Sequence, residues 1–469
     1  MIQIIIISVY LVITILIGVL TNKRKKQSSN AFNGANLGIW MCVAVGAGEW
    51  LGGTSTSGVS EYGYNYGLSG AWYTIANAIG IIFLAVFFAK LFRKIGTITV
   101  PGLMGSFIGE KTRTIASIMQ IFILIVVGTS QLIAIGSIGQ TLFGLNASAS
   151  IAILGLVVLL YTVFGGMNAV GKTNMLHMFV MYGGVIAAVI ICLISVGGTT
   201  PLTTNLDSSY FNMGTIGFNK IFSWIIASML GGCVAQAGLQ PVLSAKDDKT
   251  AVGASWITAL IVAPFGFLTA LLGIIAKYQF PDLATGKLAL PTLLMSLHPA
   301  VGGVLLASIL AAILSTASPI FLSCGTIFTR DIFEKKKQNL DDKNKLVVSR
   351  ISTGVAGVLT IGLAILLYNM QKVLDIVYFA YSLRGSMFVV LLLGILWKKV
   401  SPFIANIAMI STMGVGLFWV IWKQVNGSYP ISNYITDTYA SIIVALFITV
   451  VGSLIVIAVS KKRNESTNT

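Results

Sequence analysis

The sequence predicts an all-α polytopic membrane protein with thirteen transmembrane helices. Three observations carry that prediction. Apolar residues fill 56% of the 469 positions and charged residues only 9%, where a soluble chain carries about 25% charged residues. Apolar runs near the length a helix needs to cross a bilayer, about 20 residues, recur from one end of the chain to the other. Lysine and arginine then fall almost wholly in alternate connections between those runs.

The runs cover 2–20, 37–58, 70–92, 114–142, 149–165, 174–196, 219–243, 251–276, 301–328, 350–369, 372–396, 400–422 and 437–460. Odd parity puts the two termini on opposite sides. With the N-terminus outside, 24 basic residues lie inside and five outside; the remaining one, Arg384, sits within a span. A missed span would scramble that asymmetry. It predicts a multi-pass protein of the cell membrane with a cytoplasmic C-terminus. The net charge of +16 therefore reports cytoplasmic loops, and no nucleic-acid partner is expected. The run 2–20 is not a cleaved leader: no basic residue precedes it, and Lys23, Arg24, Lys25 and Lys26 follow it.

No soluble domain fits between the spans. The connection Thr329–Ser349 is charge-mixed and expected to be a solvated loop, and the tail 461–469 is expected to be disordered. Cys42, Cys192, Cys233 and Cys324 lie in apolar runs without metal-ligand spacing, so they read as reduced, buried thiols.

The second span is organised unlike a lipid-facing helix. Val45–Gly58 holds Glu49, five glycines and the hydroxyl run Thr54, Ser55, Thr56 and Ser57. Glycines weaken helix continuity, and a broken helix in a membrane frees carbonyls to hold an ion. The seventh span carries Gly231-Gly232, then Gln236, Gly238, Gln240 and Pro241. Its start lies five spans on and it runs the opposite way. Glycine-interrupted spans at matching places of two inverted halves mark a transporter binding site.

The ninth span places Ala312, Ser315 and Thr316 at i, i+3 and i+4, on one helix face. Pro319 has no amide hydrogen, so the carbonyl of Ser315 loses its usual partner. Neutral hydroxyls beside loosened carbonyls suit a hard monovalent cation, although such hydroxyls also bond back to their own helix. Glu49 and Arg384 are the deepest charges. They could pair with each other, or Arg384 could hold a solute carboxylate and Glu49 a proton, a cation or an amine. Asp375 is placed near the outer end of its span, in solvent. Gln131 and Gln236 are candidate solute contacts, because a buried amide both donates and accepts. No phosphate loop, zinc-protease motif or serine elbow is present, so neither an enzyme nor a nucleotide-driven pump is expected.

These residues resemble the sodium/solute symporter family over nearly the whole chain. Tyr161-Thr162-Val163-Phe164-Gly165-Gly166-Met167-Asn168-Ala169 fits the family's Gly-Gly signature. Trp50–Gly53, Gly58 and Tyr64–Leu68 resemble its first core helix and following turn; Gln240–Asp247 resembles its Gln-Arg-x-Leu-Ala-Ala-Lys motif with Pro241 in the arginine's place. Ala311–Ala317, Thr329–Ile332 and Leu396–Lys399 match further family sequences.

The resemblance implies a LeuT-type inverted five-plus-five repeat core in a single transporter domain: 37–196 and 219–396 as the halves, 2–20 as an extra helix, 400–460 as two peripheral helices. It implies sodium-coupled symport of a small polar organic solute (amino acid, organic acid, sugar or vitamin) by alternating access, with sodium as coupling ion, no other cofactor, and a functional monomer. Residue by residue, the sodium ligands would be the carbonyls of Gly48, Leu51 and Ala312 and the hydroxyls of Ser315 and Thr316. The solute would meet Thr54, Ser55 and Thr56, with Gln131, Gln236 and Arg384 as further contacts and Glu49 and Asn174 in coupling or gating. Family members often have aspartate after Thr173; here Asn174 supplies the oxygen without the charge, which predicts one sodium per solute. The alternatives are a proton-coupled symporter using Glu49, and, in another class, a membrane sensor or channel-like pathway.

Overall fold

The computed structural model describes residues 2–23, 36–337, 341–370 and 372–467. Arg24, Lys25 and Lys26 lie outside it, as do the side chains of 164–169 in the Gly-Gly signature, of Lys172 and of Lys461–Arg463. All thirteen predicted runs fall on helix. Nine described helices are long and apolar enough to cross a membrane, or ten with the bent pair Phe218–Gly232 and Gln236–Leu243 taken as one. The other predicted crossings coincide with the shorter apolar helices Ile2–Thr14, Ile39–Trp50 and Ala147–Val163, so a count of thirteen is not established by length.

Two expectations about connections are corrected. Thr329–Ser349 is helical over most of its described length: Pro299–Ile327 runs on through Phe328–Phe333 and Glu334–Lys336, and the next helix starts at Asp342, capped by the Asp341 carboxylate on the amide of Asn344. Mixed charge signalled solvent contact there, not loss of helix. The tail is helical through Thr467, continuous with the last span.

Ala147–Ser195 is helical throughout, yet it is not straight. The Tyr161 hydroxyl meets Thr173 Oγ1 at 2.5 Å, whereas twelve residues of straight helix would part them by about 18 Å. The helix therefore bends sharply between them, and 147–163 and 173–195 behave as the two predicted spans.

The bundle has a buried centre and a lipid-facing rim. In Glu110–Phe143 and Pro299–Lys336, 83% of the most apolar window is buried; in Asp437–Ser460 only 17% is. The second span sits among the central helices. Its first half, Ile39–Trp50, stops at Leu51, whose φ of −108° and ψ of 58° leave the helix, and a widened turn, Thr54–Gly58, restarts it before Val59–Tyr66. Glycine is required at the break. A Cβ on Gly52 would collide with Thr316 Oγ1 and lie 2.5 Å from Gln131 Oε1; one on Gly48 would lie 2.9 Å from Asn174 Nδ2. The seventh span breaks between Gly232 and Gln236 with a 41° bend. The two broken spans meet at Gly238, where a Cβ would lie 3.2 Å from the Trp50 indole nitrogen and 3.4 Å from Glu49 Cγ.

Gly52→Ala should lower stability by about 1–3 kcal/mol, the usual cost of overpacking a rigid site. Gly183→Ala, where a Cβ meets nothing within 4 Å, should be neutral or stabilising. Thermal unfolding of the two purified variants checks the contrast; equal shifts would show that the break is loosely packed.

Candidate functional site

The break in the second span faces the ninth span. The Thr316 hydroxyl donates to the Gly48 carbonyl and lies 3.4 Å from the Ala312 carbonyl. The Ser315 hydroxyl donates to the Ala312 carbonyl at 2.8 Å. Four of the five expected ion ligands are thus drawn together from two helices, and the fifth, Leu51, stands where the second span leaves helical geometry. Two carbonyls and two hydroxyls form an uncharged oxygen set. Hydroxyl rotation would turn each O–H away from its carbonyl partner, leaving hydroxyl and carbonyl lone pairs free for a small monovalent cation. Asn174 lies directly behind: its Nδ2 donates to the Ser315 carbonyl at 3.0 Å, and its Oδ1 is buried with no hydrogen-bond partner. The carbonyl loosened by Pro319 is thereby given a donor.

Gln131 holds the break itself. Its Oε1 accepts the Gly53 amide at 2.6 Å and its Nε2 is 3.4 Å from Thr54 Oγ1. Thr54 also bonds the Tyr73 hydroxyl at 2.8 Å. Ser55 and Thr56 both donate to the Gly52 carbonyl at 2.9 Å, so they help close the widened turn. Gln236 is placed elsewhere. It accepts the Val100 amide at 2.8 Å and donates to the Ile98 carbonyl at 3.0 Å, tying the broken seventh span to a neighbouring connection. The structure does not bring it to the hydroxyl run.

Arg384 and Glu49 form an ion pair, Nη2 to Oε1 at 3.1 Å, with side-chain exposures of 0% and 1%. Glu49 Oε2 and Arg384 Nε and Nη1 are buried and have no hydrogen-bond partner. The guanidinium lies 5.1 Å from the centre of the Tyr381 ring, which in turn meets Trp50, Tyr73 and Tyr378. The tyrosines escape a reading of the sequence, because aromatics are common in apolar spans and the contacts of Tyr381 with Trp50 and Tyr73 join positions more than 300 residues apart.

Networks close both ends of the site. At the end rich in basic residues, the buried Asp331 carboxylate takes Arg113 Nε at 2.5 Å and the Thr99 hydroxyl at 3.2 Å. Arg93 there binds the carbonyls of Ala245 and Lys246 and the carboxylate of Asp248. At the opposite end, the Asp375 carboxylate takes the Tyr62 hydroxyl at 2.7 Å and Lys220 at 3.0 Å, so it is paired and only partly in solvent. Glu61, buried and not singled out by its sequence, accepts the Val373 amide at 3.1 Å. The second span runs past its expected end at 58 through Val59–Tyr66, and that extension draws Glu61 inside. Thr54, Ser55, Thr56, Glu49 and Arg384 are all buried, so the site is shut from both directions.

Two broken helices meeting at a buried, two-sided gated site define an alternating-access secondary transporter. The family model "Sodium:solute symporter family" matches residues 32–416, and the chain belongs to that family. It is 27% identical over 462 residues to the sodium/glucose cotransporter of Vibrio parahaemolyticus, covering 89% of this chain and 84% of the relative. It is 25% identical over 461 residues to the high-affinity proline transporter of Bacillus subtilis, covering 93% and 95%. The fold matches the substrate-bound, outward-open state of a sodium-coupled sialic acid symporter with a TM-score of 0.77 at 17% identity, over 97% of this chain and 98% of that one. The fold is thus LeuT-type, and the chain is a sodium-coupled carrier, not an enzyme, sensor or channel.

The Arg113–Asp331 bond joins charged partners, a class worth about 1.5–3 kcal/mol. Asp331→Asn should therefore loosen the basic end. A single cysteine replacing Thr54, in a variant without the four native cysteines, should react several-fold faster with a thiol reagent applied from that end. An unchanged rate would show that this network does not hold the gate.

Proposed function

We propose that the chain imports a small polar organic solute together with one sodium ion across the cell membrane. The observation that carries the reading is the contact of the Thr316 hydroxyl with the Gly48 carbonyl, which joins the two helices that supply the ion's oxygens. Sodium entering from outside would take the carbonyls of Gly48, Leu51 and Ala312 and the hydroxyls of Ser315 and Thr316. Replacing hydroxyl–carbonyl bonds with ion–oxygen bonds ties the second span to the ninth. That favours an outward-facing form with a formed solute pocket, and the coupling equals the ion's differential affinity for that form.

The solute pocket is read around Thr54 and the ion pair, with Gln131 ordering the break and Gln236 holding the seventh span from behind. Charge asymmetry supports an external N-terminus and a cytoplasmic basic end, so the Asp331 network is the inner gate and the Asp375 network the outer one. Residues 37–196 and 219–396 act as the inverted halves, around which 2–20 and 400–460 pack, and the monomer is the functional unit. The two relatives are named for glucose and for proline, which leaves both sugars and amino acids open as the solute. Proton coupling through Glu49 finds less support, because Arg384 already engages that carboxylate.

Removing both hydroxyls, in Ser315→Ala with Thr316→Ala, should leave folded protein in the membrane and cut sodium-stimulated uptake at least about tenfold, the factor for 1.4 kcal/mol of lost ion affinity. Unchanged sodium dependence would reject the ligand set. Flux reversal in proteoliposomes under opposed sodium and solute gradients should give one sodium per solute, since Asn174 brings no charge to a second site; a ratio of two would contradict that.

A further inference from the structure

The family leaves the solute open, and the structure narrows it. A buried ion pair keeps three polar atoms without partners: Glu49 Oε2, Arg384 Nε and Arg384 Nη1. Other buried atoms here also have no partner, Ser57 Oγ and Asn77 Nδ2 among them, but these three belong to one ion pair, and a charged group left so is the costliest kind. Two of them lie on one guanidinium, on different edges of it, and each is a charged donor that suits a carboxylate oxygen. The third is an anionic oxygen, which suits a cationic nitrogen. The pair sits at the break of one span and against Gly238 of the other broken span, within the site that both gates enclose.

Packed rings link the pair to a charged cavity. A cavity of about 490 Å³ opens beside the outer gate, lined by Lys220, Trp224, Asp375, Tyr378, Lys423 and Asp437 among others. It offers two cations and two anions. Trp224 and Tyr378 stack at its floor, with centroids 4.4 Å apart. Ring contacts then run without a gap from Tyr378 to Tyr381 at 5.5 Å, and from Tyr381 to Trp50 at 6.0 Å and to the Arg384 guanidinium at 5.1 Å.

Resting on the symport reading above, we propose that Glu49 and Arg384 are the solute's charge receptors, and that the solute is a zwitterion: a carboxylate and a cationic nitrogen a few bonds apart, as in an amino acid or a betaine. The carboxylate takes an unpaired N–H of Arg384 and the nitrogen takes Glu49. When the carrier is empty, the two side chains compensate each other, which lets the site close dry and reorient. A singly charged solute would leave one receptor charge buried without compensation, which is heavily disfavoured. A sugar has no charge to exchange for either.

The test uses the full chain in lipid nanodiscs. Thermal shift is measured with the common amino acids, glycine betaine, glucose and uracil, each in sodium and in potassium. A zwitterion should stabilise the protein in sodium alone, and glucose and uracil should not. The double variant Glu49→Gln with Arg384→Gln removes both charges and leaves a small cavity at 384. It should still bind radioactive sodium, which reports a folded protein, while its affinity for that zwitterion falls by about 30-fold or more, the loss seen when buried charged partners are removed. Stabilisation by glucose or uracil alone, or by none of the zwitterions, overturns the proposal. So does a double variant that keeps wild-type affinity, since the pair would then be merely structural. If the wild type binds a zwitterion equally in potassium and binds no radioactive sodium, the symport reading fails instead, and the receptor assignment stands.

Discussion

The architecture depends on one packing contact, the close approach of the broken second span to the ninth. Gly48 and Gly52 allow backbone to lie where any side chain would collide with Asn174 or Thr316. In a bilayer no water satisfies the polar groups that such a break exposes, so neighbours must do it. Gln131 takes the Gly53 amide, Thr316 the Gly48 carbonyl, and Ser55 and Thr56 the Gly52 carbonyl. Asn174 does the same for the Ser315 carbonyl across the site. These groups of the break are thus attended, two of the carbonyls by hydroxyl bonds that an ion can replace.

A second constraint is the charge buried beside it. Removing one member of a buried ion pair typically costs about 3–5 kcal/mol, so neither Glu49 nor Arg384 can be lost alone without consequence. The pair joins the second span to the eleventh, whose first turn also carries Asp375 and the Val373 amide that Glu61 accepts. The eleventh span therefore meets the second at two places, the ion pair and its own first turn.

Much of this was legible in the sequence. Apolar runs marked every span, and Gly52-Gly53 and Gly231-Gly232 marked both breaks, because a bilayer tolerates glycine pairs and polar residues only where protein surrounds them. Ala312, Ser315 and Thr316 followed from helical spacing, and their union with Gly48 from family resemblance. What escaped was tertiary. Nothing local distinguishes Gln131, which orders the break, from Gln236, which binds the backbone of Ile98 and Val100. Tyr73, Tyr378 and Tyr381 gain meaning only through contacts between distant spans. The charged stretch after Ile327 misled because charge reports solvent, while helix continues wherever its backbone ladder can.

The central claim is that sodium ties the second span to the ninth. Hydrogen exchange of the backbone amides in 46–58 and 309–319, compared in sodium and in potassium without solute, tests it most directly. The account predicts slower exchange in both segments in sodium and little change in the peripheral helix Pro402–Asn426. Equal exchange in the two salts at both segments, with sodium protection confined to other parts of the chain, would contradict it.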